Sequence, residues 1–315
     1  MNTLLRKRVM IDTAFFGTSD KSVPLLEQLL VGTNLKLCVT KTDRVVGRSK
    51  EVRQTRVKAW AKDNNIEVFE INNFDKATTQ AISNKLGELQ ITVGVVADFS
   101  FIIPKQILTI PPKGLINIHF SKLPKYRGAS PVQHTILNGE AQTAVSFMVM
   151  SEKMDEGDII SQLPYPVSSN ATTQELYEEL FTFGARHLTS VLTDYVEGKI
   201  KPTRQESNNA TYCYSPTNPK STLIDKQDAQ LKCNDTPIMQ YRKIRAFNPW
   251  PFAWTYIQDM EVSGYRLKPS IAGTTKVKVI SAKFENKLLV PLIVQPENRN
   301  RMDYAGLVNG YFEKI

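Results

Sequence analysis

The chain has 315 residues, 41% hydrophobic and 23% charged, with a net charge of +9. That is the balance of a globular protein with room for two domains, and it excludes a disordered or fibrous chain. Three widely spaced cysteines (Cys38, Cys213, Cys233) and three histidines form no CxxC pair or Cys/His cluster, so neither a disulfide framework nor a zinc site is expected. No run approaches the ~20 apolar residues of a membrane span, and the N-terminus has no cleavable-leader pattern; a cytoplasmic, monomeric protein with no membrane partner and no metal is expected.

Taken in order, "MIDTAFF" (10–16), "LKLCVT" (35–40), "IEVFEI" (66–71), "ITVGVVA" (91–97) and "GLINIH" (114–119) read as strands. Between them, 23–30, 53–65 and 76–89 carry helical patterns. Strands alternating with helices predict βαβ units and a mostly parallel, Rossmann-like α/β sheet, whose ligands bind beyond the carboxyl ends of the strands. Two more strands follow at 143–150 and 158–167. Thr172 and Glu175 then form a capping box for a helix whose apolar face runs through Leu176, Leu180, Phe183, Leu188 and Leu192. Residues 204–218 are polar, broken by prolines and without period, and read as a linker between a domain 1–203 and a domain 219–315. The latter holds one predicted helix (236–247) and short strand-like runs such as "AWTYIQ", "KVKVISAKF" and "LLVPLIVQ", as expected of a small β-barrel.

The chemistry-bearing stretch is "INIHFSKLPKYRGASPVQHTILNGE" (116–140). Strand side chains alternate between faces, so Asn117 and His119 project to one side near a carboxyl end. The bland alternative is a histidine bonded to a carbonyl beside a strand-ending asparagine. The loop that follows is stiffened by Pro124 and Pro131, relieved at Gly128, and carries Arg127, a residue suited to holding an anion. His134 and His187 read as structural. In "SEKMDEGDII" a cluster of Asp155, Glu156 and Asp158 follows the strand 143–150, and a carboxylate from it could orient His119. Position favours Asp155 as the earliest, yet spacing does not rank it above Asp158, and an acidic turn is the plain reading. Residues 41–58 hold seven Lys/Arg against two acidic residues, a charge suited to a phosphate backbone or simply a solvated loop. The turn "FFGTSDKS" is not a dinucleotide fingerprint.

Several of these pieces occur together, in order, in one family: "FFGTSDKSVPLLEQLL", "TKTDRVVGRSK", "VVADFSFIIPKQIL", "LINIHFSKLPKYRGASPVQHTILNGE", "MDEGDII" and "IRAFNPWPFAWT". Along almost its whole length the chain resembles the methionyl-tRNA formyltransferases, a branch of the folate-dependent formyltransferases. The "N-I-H…L-P-x-Y-R-G-A-S-P" segment belongs to folate-dependent formyltransferases and hydrolases generally, and "IRAFNPWP" followed by β-rich sequence to the tRNA-modifying branch.

The resemblance implies formyl transfer from 10-formyltetrahydrofolate, as co-substrate, to the α-amine of methionyl initiator tRNA. It implies a catalytic trio of Asn117, His119 and Asp155, which settles the choice of carboxylate. Asn117 and a protonated His119 would stabilise the oxyanion, Asp155 would orient His119, and a water could relay the amine proton to the leaving nitrogen. Folate contacts are implied at Phe99, Ser100, Phe101, Ile102, Ile103, Ser121, Leu123, Pro124, Met150 and Met154, largely through backbone groups. The tRNA contacts are implied at Arg44, Arg48, Lys50 and Arg53, with an OB-like C-terminal domain helping to hold the tRNA; residues 219–315 carry 15 Lys/Arg against 9 Asp/Glu. "GTSDKS" and Ser100 depart from the family pattern. Three other functions use similar residues: a sugar-nucleotide N-formyltransferase, a formyltetrahydrofolate hydrolase, and an RNA-binding protein on a decayed scaffold.

Overall fold

In the computed structural model, residues 10–46, 51–215, 218, 221 and 223–315 are described. The chain divides into two compact units. The first comprises residues up to Arg127 with Ala144–Tyr165 and Glu178–Thr211; the second comprises Gly128–Thr143, Pro166–Tyr177 and Tyr212–Ile315.

The first unit is built on strands β1 (Asp12–Gly17), β2 (Asn34–Lys41), β5 (Glu67–Ile71), β6 (Val93–Ala97), β7 (Leu115–His119), β8 (Gln142–Val149) and β9 (Ile159–Pro166). A short hairpin, β3 (Arg44–Val46) with β4 (Glu51–Arg53), interrupts the series. Helices α1 (Val23–Gly32), α2 (Arg56–Asp63), α3 (Lys76–Glu88) and α4 (Lys105–Leu108) connect the strands, and the long α6 (Thr173–Val196) follows β9. The sheet order is β5-β2-β1-β6-β7-β8-β9. The first five strands pair in parallel and β8 pairs antiparallel with β7. Chain direction across the sheet reverses between β1 and β6, which makes a topological switch point with a crevice beyond their carboxyl ends.

Strand alternation explains how the sheet is buried. Ala14 and Phe16 of β1 and Leu37 and Val39 of β2 join Ile82 and Leu86 of α3 in one apolar cluster, while Phe15 and Cys38, also fully buried, point to the other face. Helix starts follow capping chemistry: Thr55 Oγ accepts the Lys58 N–H before α2, and Asp75 accepts the Thr78 N–H before α3. The box predicted at Thr172–Glu175 is formed, with the Thr172 N–H donating to Glu175 (2.9 Å) and the Glu175 N–H to the Thr172 hydroxyl (3.3 Å).

The second unit contains α5 (Pro131–Leu137), α7 (Pro237–Ala246), a four-stranded antiparallel sheet and a two-stranded one. The larger sheet orders β10 (Ala253–Tyr256), β12 (Lys276–Glu285), β13 (Leu288–Pro296) and β14 (Met302–Asp303); the smaller pairs β11 (Tyr265–Leu267) with β15 (Phe312–Lys314). Alternation is again visible in β12, which buries Val277 and Val279 and exposes Lys276 and Lys278.

Three local features differ from expectation. Helix α8 (Tyr304–Tyr311) forms despite two glycines, because Asp303 caps it and Leu307 is fully buried. The basic segment is partly a hairpin rather than a loop, which delays the start of α2 to Arg56. The first half of the segment read as a linker is packed rather than free: Gln205 is 6% exposed, Ser207–Asn209 forms a 3-10 turn, and the Thr211 carbonyl accepts from the Arg127 N–H at 2.9 Å.

Candidate active site

Strand β7 ends at the carboxyl edge of the sheet beside β6, with Asn117 opposite Val96 and His119 opposite Ser146 of β8. Asn117 and His119 therefore share a face, as alternation requires. The loop after β8 brings Asp155 to the same point. The Asn117 amide donates to Asp155 Oδ1 at 3.2 Å, and His119 Nδ1 lies 3.6 Å from Asp155 Oδ2. His119 is 5% exposed, and Nε2 of the ring is 2.9 Å from the Tyr126 carbonyl oxygen. A carbonyl only accepts, so Nε2 carries a hydrogen and Nδ1 is the nitrogen turned toward the carboxylate. At 3.6 Å that approach exceeds an N–H···O hydrogen bond. Asp158 is exposed, and its backbone carbonyl accepts the Val149 N–H; its position is that of a loop anchor.

Two left-handed residues shape the centre. Tyr126 has φ +61° and Asp155 φ +54°, both uncommon for residues with a side chain and sustained only where neighbours hold them. Arg127, 2% exposed, does not present its guanidinium to an incoming anion as its sequence position suggested. Nε and Nη2 donate to Gln205 Oε1 at 3.1 and 2.9 Å, and Nη1 stands 3.4 Å from Glu156.

The residues assigned to folate by resemblance differ in their surroundings. Phe99, Phe101, Ile103 and Met150 pack against the same apolar cluster, and Phe99 and Phe101 meet edge-on at 5.4 Å. Ile102 is exposed and Met154 half-exposed. The Ser100 N–H donates to the Thr18 hydroxyl, and Thr18 in turn donates to the Asp98 carbonyl, lacing the first turn to the loop after β6 across the switch point. Ser121 is buried with its hydroxyl donated to the Lys125 carbonyl; Leu123, also buried, precedes Pro124 through a cis peptide and offers its carbonyl to Gln162. Sequence reading passed over Phe74, which meets Phe99 and Phe101 edge-on at 6.2 Å each, and Gln205. A lone aromatic in "NNFDK" hinted at the first; nothing in a polar segment hinted at the second.

Of the expected tRNA contacts, Arg44 and Arg53 are register partners across the β3–β4 hairpin, and both are exposed. Arg48 and Lys50 lie outside the described residues. Like charges directly opposite each other cost stability in a hairpin. Asp20, 3.9 Å from Arg53, offsets part of that cost. At its base, buried Lys58 bonds Asp43 and Glu70 at 2.8 and 2.9 Å. His134 bonds two backbone carbonyls, of Ser130 and Tyr214, and His187 packs edge-on against Phe183. Among the described residues no three His, Cys, Asp or Glu side chains gather as a metal site requires, and no helix is long and apolar enough to cross a membrane.

Known proteins share this arrangement. The formyl transferase profile matches residues 13–192, and the profile of the formyl transferase C-terminal domain matches 223–311. The chain belongs to the formyl transferase family and is an enzyme of that kind. A methionyl-tRNA formyltransferase of Listeria welshimeri is 31% identical to it over 315 residues, spanning 96% of each chain. Among solved structures, a methionyl-tRNA formyltransferase from Clostridium thermocellum is 17% identical with a TM-score of 0.54, over 91% of this chain and 99% of that one. An N-formyltransferase from Helicobacter canadensis, in complex with folinic acid and dTDP-3-aminofucose, is 20% identical with a TM-score of 0.58, over 88% of this chain and 89% of that one.

Proposed function

We propose that the enzyme transfers the formyl group of 10-formyltetrahydrofolate to the α-amine of methionyl initiator tRNA, for translation initiation. Asn117, His119 and Asp155 are assigned as its catalytic groups. The neutral amine attacks the formyl carbon, and negative charge develops on the formyl oxygen. Two donors converge where that charge can be met, both now turned to the Asp155 carboxylate: the Asn117 amide and, in the protonated imidazole, His119 Nδ1–H. Because His119 Nε2 is committed to the Tyr126 carbonyl, Nδ1 is the position that serves the oxyanion. Asp155 orients the imidazole and stands where a proton leaving the amine can be relayed to the departing nitrogen of the folate. The pterin is assigned to the aromatic crevice of Phe99, Phe101 and Phe74 at the switch point.

The acceptor assignment rests on the face that the second unit displays. Lys276 Nζ lies 4.7 Å over the Trp254 ring, while Lys278 Nζ and Arg301 lie 5.9 and 5.4 Å over Phe252. Trp250, beside them in sequence, is 56% exposed. Trp254 itself is buried, so what the face offers is exposed Lys276 and Lys278 beside exposed Trp250; such cations suit a nucleic-acid backbone, and a small sugar nucleotide has no need of them. The full-length similarity to methionyl-tRNA formyltransferases supports the same acceptor.

The test offers the enzyme 10-formyltetrahydrofolate with methionyl initiator tRNA, a dTDP-amino sugar, or water alone. Formyl-methionyl-tRNA is the expected product; transfer to the sugar alone, or hydrolysis alone, overturns the reading. A Lys276→Ala/Lys278→Ala double variant is expected to lower the slope of log K against log salt for tRNA by about 2, with folate affinity unchanged.

A further inference from the structure

We infer that Gln205, in the segment that reads as a linker, is a positioning residue for Asp155 and, through Arg127, ties the aspartate's loop to the loop that holds His119. The inference rests on the proposed role of Asp155.

The amide of Gln205 is used to capacity. Its oxygen accepts two N–H groups of Arg127, at 3.1 and 2.9 Å, and its nitrogen donates to the Asp155 and Gly157 carbonyls at 2.9 and 2.7 Å. An amide has two acceptor and two donor positions, so all four are filled. Both side chains are buried, Gln205 6% and Arg127 2% exposed, and buried polar groups joined in this way fix one geometry.

The bonds close a ring. His119 Nε2 donates to the Tyr126 carbonyl; Tyr126 is bonded to Arg127; Arg127 holds Gln205; Gln205 holds the Asp155 backbone; and the Asp155 carboxylate faces His119 Nδ1 and Asn117. Both backbone turns in the ring, Tyr126 and Asp155, are in the left-handed region, which a side-chain-bearing residue keeps only when its surroundings over-determine it. Gln205 bonds both loops at once: the 126–127 loop through the guanidinium and the 155–157 loop through its carbonyls.

A double-mutant cycle tests this. Gln205→Met keeps the volume and removes all four bonds. Gln205→Glu keeps the acceptors for Arg127 and sets a carboxylate oxygen against the Asp155 and Gly157 carbonyls. Each is expected to lower kcat for formyl transfer, per folded molecule, by roughly 10- to 100-fold, the scale for catalytic groups displaced by up to an ångström. KM for the formyl donor is expected to stay within about threefold. In an Asp155→Ala background, followed under single-turnover conditions, the same variants are expected to cost nothing further.

A purely structural role would lower the folded fraction and leave kcat per folded molecule unchanged, so an unchanged kcat overturns the inference, and so does an additive loss, which would show Gln205 acting otherwise than through Asp155. Full activity of Gln205→Glu while Asp155→Ala is impaired overturns it as well and leaves the site assignment standing. Full activity of Asp155→Ala overturns both. If Gln205→Met does not fold, Gln205→Glu and Gln205→Asn carry the cycle. The cycle is run with whichever acceptor the unaltered enzyme uses, so the outcome does not depend on that acceptor being tRNA.

Discussion

Gly157→Ala probes the loop that carries Asp155 without touching a reacting group. A Cβ at residue 157 would overlap the Val149 carbonyl oxygen and lie 2.9 Å from its carbon and 3.5 Å from the Met150 carbon. Those are backbone atoms at the end of β8, so no rotamer change relieves the overlap. Real Cβ atoms stay at least 3.0 Å from such neighbours, so the loop must move by more than about 1 Å. Three bonds are then at risk: Gln205 to the Gly157 carbonyl (2.7 Å), Gln205 to the Asp155 carbonyl (2.9 Å) and Val149 N–H to the Asp158 carbonyl (2.9 Å). At about 1 kcal/mol each, their loss costs about 2–3 kcal/mol. For a unit of this size that lowers the melting midpoint by about 5–10 °C. The same movement carries Asp155 away from Asn117 (3.2 Å) and His119 (3.6 Å), and roughly 10²-fold is expected to be lost in kcat. Steady-state formyl transfer and calorimetry on the same preparation read both quantities. A variant with native kcat and an unchanged first-unit transition would refute the claim that this loop sets the position of the aspartate.

Asn117→Ala removes one of the two proposed oxyanion donors and is expected to cost roughly 10²–10³ in kcat, with the formyl-donor KM little changed; a loss confined to KM would contradict a transition-state role. Lys58→Met leaves Asp43 and Glu70, each about a third exposed, without their shared cation, and is expected to cost about 2 kcal/mol by chemical denaturation. Its bonds to Asp43 and Glu70 hold the Lys58 pKa above the ordinary 10.5. The stability gap between wild type and variant should therefore be constant from neutral pH up to 10.5 and narrow above it, and narrowing between pH 7 and 9 would contradict the assignment. Burial pushes the Cys38 thiol up to about 12. In the native protein at pH 8 a maleimide is expected to modify exposed Cys233 while buried Cys38 and Cys213 react only after unfolding, as mass spectrometry would show.

Local periodicity carried most of the fold. The strands of the central sheet and helices α1, α2, α3, α6 and α7 follow from period-2 and period-3.6 patterns with their caps, because the side chains that define those patterns are neighbours in sequence. The same alternation is enough to place Asn117 and His119 on one face of their strand. Where packing overrides propensity the sequence was silent. Leu307 and the Asp303 cap make a helix of "YAGLVNGY", and residues 44–53 fold back as a hairpin in a stretch dominated by charge.

The third member of the trio shows the boundary more sharply. Spacing left Asp155, Glu156 and Asp158 equivalent, and resemblance alone chose among them. In the fold, a left-handed turn at residue 155 aims one carboxylate back at β7, 38 positions earlier in the chain, and leaves Asp158 at the surface. Gln205 had no sequence signature because nothing within its own segment explains it: the three residues it bonds lie about 50 and 80 residues away. Sequence by itself determined most of the elements of the central sheet and which polar residues stand at the end of β7, since those follow from steric and hydrophobic rules acting over a few residues. Only the tertiary structure decided which carboxylate meets His119 and what holds it there, since both depend on contacts between loops 38 to 78 residues apart in the chain.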